Sequence, residues 1–203
     1  TSAPSFSVTT VTDFQNTNPD GANYHENIAR RVEGTFTVPN YLDSADGGPG
    51  SPFFYSTTSP DALPARQGGS NTLTANFECQ IPYAAYGGNT ASGATSGDVI
   101  PARPSLYGHG LLGSRTEIHA GNVEDMSNTH NMMFCATDWI GFASGDVGFV
   151  ITALQDFSQL PAFFDRTQQG VLNFEFLARL MNHSGGFASD TAFQVDGTPV
   201  FDS

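Results

Sequence analysis

"PSLYGHGLLGSRTE", residues 104–117, decides how the second half of this chain folds. Pro104 to Gly108 is short and apolar, as a strand requires. Gly108, Gly110 and Gly113 then let the backbone turn tightly, because a residue without a Cβ enters conformations that others resist. Ser114 and Glu117 have the spacing of a capping box, in which each side chain satisfies a free amide at a helix start. The stretch therefore predicts strand, turn, helix. The helix it opens carries His119, Val123 and Met126 at i, i+4 and i+7.

The grammar repeats downstream. "MMFCATDW", residues 132–139, is a continuous apolar run, the pattern of a parallel strand buried on both faces. A second helix begins near Pro161, a residue suited to a first helical turn. It places Phe164, Val171, Phe174, Ala178 and Met181 along one stripe and ends at "NHSGG", where Gly185 is positioned for a left-handed cap. Strand, helix, strand, helix predicts a parallel α/β sheet. Two parallel strands cannot cover both faces of such a sheet, so residues 99–203 read as the first part of a larger core.

The preceding residues obey a different period. In "TLTANFECQI" Leu73, Ala75, Phe77, Cys79 and Ile81 face one way and the polar residues between them the other. In "RRVEGTFTV" Val32, Gly34, Phe36 and Val38 alternate likewise, and Pro39 closes the strand. Residues 1–85 thus form a β-rich region. The small, polar stretch 86–98, "YGGNTASGATSGD", reads as a flexible linker before the α/β segment.

Composition narrows the function. The 203 residues carry a formal charge of −13, and the seven cationic side chains are all arginines. Such a surface repels phosphate backbones and anionic lipid headgroups, which argues against nucleic-acid and polybasic membrane roles. No apolar run approaches the roughly 18 residues needed to cross a bilayer. Acidity with abundant Gly, Ser, Thr and Asn, and an N-terminus that reads as processed, point to a secreted or cell-surface protein. Cys79 and Cys135 form no CxxC pair, and a mutual disulfide and two buried thiols both remain open. "NTNPDGANYHEN" places Asn16, Asn18, Asp20 and Gly21 near a calcium-loop pattern. Its first position is Asn and Glu26 falls one place early, so it reads as an Asn/Asp/Gly turn. The histidines lack zinc spacing, and no metal or other cofactor is expected.

"YGHGLLGS", residues 107–114, resembles the His-Gly-x oxyanion loop of the α/β-hydrolase superfamily. The resemblance continues into "CATDWIGFASGD", similar to Asp-Trp-x-Gly segments of large secreted bacterial hydrolases, lipase-like surface proteins among them. It covers roughly residues 100 to 203. It implies an incomplete parallel α/β-hydrolase-type sheet acting on an ester-type substrate. The Leu111 backbone amide would stabilise the oxyanion, with His109 and Gly110 shaping the loop, and His109 bracing it instead of acting as base. Leu112, Asp138 and Trp139 would border the substrate pocket.

The chain departs from that family in one respect. It has no G-x-S-x-G, and neither "NHSGG" at Ser184 nor "FASGD" at Ser144 supplies one. Ser114, Ser127 and Ser184 lie near His109, His130 and His183 in sequence, but sequence neighbours rarely make a nucleophile–base pair. The resemblance therefore implies that the Ser-Asp/Glu-His triad comes from a C-terminal segment or second chain of the same precursor. The competing expectation is a non-catalytic surface, adhesive or filament-forming protein on a hydrolase-like scaffold.

Overall fold

The computed structural model of the protein describes residues 2–59 and 61–203. Five strands form one sheet: β1 (Phe6–Asp13), β2 (Ile28–Pro39), β3 (Thr72–Pro82), β4 (Arg103–Tyr107) and β5 (Met132–Thr137), in the order β1-β2-β3-β5-β4. Only β4 and β5 run parallel; β1–β2, β2–β3 and β3–β5 are antiparallel. The expected parallel sheet is thus corrected to a mixed one. The alternating strands of the first half and the apolar run of the second join through β3 and β5. Residues 86–98 connect β3 to β4, and Tyr86 and Ala91 in that connection are buried in the core.

Helices cover both faces. On one side lies α3 (Leu160–Asn182) with the tail around Phe187, Phe193 and Phe201, packed on Val32, Phe36, Phe77, Cys79, Met133 and Cys135. On the other a 3-10 turn (Arg115–His119) and α1 (Gly121–Thr129) cover Phe134 and Ala136 with Ile118 and Val123. β5 is therefore buried on both faces, as its unbroken apolar run requires. Beneath α1 the outward face of β3 is covered too, and Glu78 and Gln80 are buried there although alternation alone would leave them in water. Glu78 is paired with Arg31 at 3.2 Å and with His119.

α2 (Val147–Gln155) precedes α3, and β6 (Gln194–Val195) and β7 (Thr198–Pro199) form a small hairpin in the tail. Beyond it, Ala102 donates to the Val200 carbonyl and Asp202 to the Ala102 carbonyl, a parallel bridge between Ala102 and Phe201 at the open edge of the sheet. Cys79 faces Cys135 across β3 and β5, and the two are joined as a disulfide.

Three local expectations are corrected. The segment after Ser114 is a 3-10 turn, the α-helix starts only at Gly121, and Ser114 makes no cap with its side chain. α3 buries Ala162, Arg166, Gln169, Gly170, Asn173, Leu177, Leu180 and Met181, while Phe164 and Val171 of the expected stripe are exposed. The stripe is rotated because polar residues sit on its buried side: Gln169 donates to the Pro39 carbonyl and to Asn173, and accepts from the Tyr41 amide. Finally, α3 ends with His183 extended, and Gly185 is not left-handed.

Candidate functional site

β4 and β5 end side by side, so the loops that follow them meet at the carboxyl edge of the parallel pair. Backbone amides at such an edge point into the crevice above the strands. The connection between the two loops is dense. Leu112 donates to the Phe142 carbonyl at 2.6 Å, and Ser144 to the Gly113 carbonyl at 2.7 Å.

His109 locks the arrangement. It is buried, and its Nε2 accepts the Trp139 backbone N–H at 2.8 Å. Nε2 is then the unprotonated nitrogen, and Nδ1–H donates to the Gly110 carbonyl at 2.8 Å. Both nitrogens are thereby occupied in joining the end of β4 to the end of β5. An imidazole held in this way has no nitrogen left to accept a proton from a nucleophile.

Glu117 performs a different task from the capping expected of it. Its carboxylate reaches back to the Gly110 N–H at 2.9 Å. A Cβ on Gly113 would overlap that carboxylate, so a larger residue there would push Glu117 away from the Gly110 N–H. The amide between these tied residues, Leu111 N–H, meets no acceptor among the described residues, and the Leu111 side chain is 71% exposed. Leu112 has φ 57°, in the left-handed region that a bulky side chain rarely enters. Such a conformation persists only where the surroundings enforce it; here the Phe142 and Gly110 carbonyls hold the turn by accepting from Leu112 and Gly113.

The other expected residues divide. Asp138 accepts from the Arg115 amide at 2.9 Å and from Arg115 Nη1 at 2.6 Å, so it caps the 3-10 turn. Trp139 is half-buried against α3: its indole stacks on Phe174 with centroids 5.7 Å apart, and Gly170 allows α3 to approach it. His109, Gly110, Leu111 and Leu112 form one loop beside Trp139, while Asp138 belongs to a separate polar cavity with Arg115.

Sequence reasoning missed Arg115, Asp146 and Arg166. Asp146 is buried, accepts from the Gly141 and Ala143 amides, and pairs with Arg166 Nε at 2.6 Å. No pattern in the sequence marked them, because Arg166 lies off the expected apolar stripe of α3 and its partner Asp146 comes from the loop after β5.

Among the described residues no serine hydroxyl is bonded to His25, His109 or His119, whose ring nitrogens face Glu124, Trp139 and Glu78 among others. Ser127 donates instead to the Met132 carbonyl, and Ser114 pairs with Thr116. The calcium-like loop closes on Gln15, whose amide oxygen accepts from the Thr17 and Asn18 amides. Among the described residues no helix is long and apolar enough to cross a membrane. Compared with protein-family models, curated proteins and solved structures, the chain matches none.

Proposed function

We propose that this chain is the N-terminal portion of a secreted, α/β-hydrolase-type serine hydrolase acting on an ester or related acyl bond. In this reading it supplies the oxyanion-hole loop, and the Ser-Asp/Glu-His triad lies on a following segment or second chain. The observation that carries the reading is the Leu111 N–H, held without an acceptor among the described residues at the carboxyl edge of two parallel strands. A fixed amide in such a position stabilises a developing oxyanion without having to reorganise, an effect of roughly 3–4 kcal/mol per donor.

Two further features support it. The parallel bridge between Ala102 and Phe201 sets a direction along the open edge of β4. A strand added there in that direction would end beside the Leu111 loop, where an attacking serine is needed. The Cys79–Cys135 disulfide suits an oxidising, extracytoplasmic setting.

The test uses native material containing this chain with whatever partner segment accompanies it. A serine-reactive fluorophosphonate is expected to label the partner segment and not residues 1–203. Leu111→Pro, which removes the amide proton, is expected to lower acyl-ester turnover about 100- to 1,000-fold. Leu111→Ala, which keeps that proton, should leave turnover nearly unchanged. Labelling within this chain, or full activity in Leu111→Pro with native circular dichroism, would overturn the assignment. If nothing is labelled in any native preparation, the non-catalytic scaffold is the better reading.

A further inference from the structure

Beside the candidate loop, but apart from Leu111, lies a cavity of about 380 Å³ whose walls include two guanidinium groups. Arg115 and Arg166 line it, with the hydroxyl residues Ser114 and Ser144 and the carboxylates Asp138 and Asp146. The cavity thus gathers two of the seven cationic side chains of a chain whose formal charge is −13.

The two carboxylates balance the two guanidiniums in charge, each through a direct ion pair, so what the cavity offers is hydrogen-bond donors and not net positive charge. Asp146 accepts from two backbone amides and from Arg166 Nε, and Asp138 from the Arg115 amide and Nη1. The guanidiniums are less completely served. The Arg166 side chain is only 9% exposed, yet among the described residues its Nη1 has no acceptor, and Arg115 Nε is buried without one. A buried cationic donor with no acceptor is rare in folded proteins and calls for a partner. The planar guanidinium fork matches the oxygens of a carboxylate or phosphate. Ser144, Gly145 and Asp146 also lead directly into the N-terminus of α2, whose partial positive charge favours an anion.

We infer that the cavity between Arg115 and Arg166 binds a small oxyanion-bearing molecule, its carboxylate or phosphate group taking the unmatched guanidinium donors. This site does not depend on the acyl-hydrolase reading, since the cavity is lined by neither Leu111 nor His109.

The chain has a single tryptophan, Trp139, adjacent in sequence to Asp138 on the cavity wall, so its fluorescence provides a local readout. The 203-residue chain is titrated with inorganic phosphate, with succinate, and with chloride at matched ionic strength. A saturable change with phosphate or succinate but not with chloride is expected, accompanied by a rise in melting temperature. Which of the two probes binds more tightly identifies the group the site takes. Arg115→Gln should weaken binding at least tenfold, and Ser144→Ala, which leaves both ion pairs intact, should weaken it several-fold with the melting temperature of the free chain retained. Arg115→Lys, which keeps charge without the fork, should restore only part of the affinity. The inference is overturned if neither oxyanion gives a response beyond that of chloride. It is equally overturned if Arg115→Gln and Ser144→Ala both bind as the parent chain does. Loss of fluorophosphonate labelling on a partner segment would leave these outcomes unaffected, so the two proposals fail separately.

Discussion

At the scale of single residues, glycine carries two opposite meanings in this chain. Gly34 sits in the middle of β2, opposite Val8 on one side and Phe77 on the other. A Cβ there would lie 2.2 Å from the Ser7 carbonyl oxygen and 2.7 Å from the Phe77 ring. The backbone oxygen cannot withdraw without breaking the β1–β2 ladder. Gly34→Ala is therefore expected to cost about 1–3 kcal/mol, read from urea unfolding. Gly148, inside α2, has nothing within 4 Å of its missing Cβ, and Gly148→Ala should stabilise by about 0.5–1 kcal/mol. If Gly34→Ala leaves stability unchanged or raises it, the packing described at Gly34 is wrong. The alternation of Val32, Gly34, Phe36 and Val38 showed that Gly34 faces inward, but its necessity was not legible. That depends on Ser7 and Phe77, which pairing brings to it from elsewhere in the chain.

At the scale of elements, the pairing of β3 with β5 is the join between the two halves of the sequence. Cys79 and Cys135 are directly opposite across it, and the disulfide closes a sequence separation of 56 residues. Constraining a loop of that length restricts the unfolded chain, and its loss is expected to cost about 4 kcal/mol. Urea unfolding with and without a reductant, checked against a Cys79→Ala/Cys135→Ala variant, measures this. A difference under about 1 kcal/mol would mean that the bond does not constrain the unfolded state as its position implies. The pairing was undecidable from sequence because two strands of unknown register can place cysteines opposite or apart. α3 teaches a related lesson. Its length and its start at Leu160–Pro161 were legible, but the buried side was misplaced. Arg166 and Gln169 turn inward because Asp146, Pro39 and Tyr41 supply their partners, none of which lies on the helix, and Asn173 accepts from Gln169 beside them.

At the scale of the whole molecule, the exposed apolar surface is concentrated on α2 and its junction with α3. Val147, Ile151, Leu154, Phe157 and Phe164 are all exposed, and α2 buries only Ala153. The helix carries no charged side chain, so nothing there opposes association in a chain that is otherwise strongly acidic. Ile151→Glu with Leu154→Glu is expected to reduce self-association, measured by light scattering and sedimentation. It should shift unfolding stability by no more than about 0.5 kcal/mol, as surface changes do. A large loss of stability would show that these side chains are packed.

The sequence by itself determined the local alphabet of this protein. Period-two alternation specified β2 and β3, the unbroken apolar run specified β5, and the glycines after β4 specified a tight turn at the carboxyl edge. These are short-range consequences of which residues prefer water and which backbone angles a side chain permits. Tertiary structure alone decided the rest. It made the sheet mixed, buried Glu78 beneath α1, joined Cys79 to Cys135, and set Arg115 and Arg166 around one cavity. It also occupied both nitrogens of His109 while leaving the Leu111 N–H open. Each of these depends on partners distant in sequence, and a hydrogen bond or ion pair has no signature in the chain until folding brings both of its ends together.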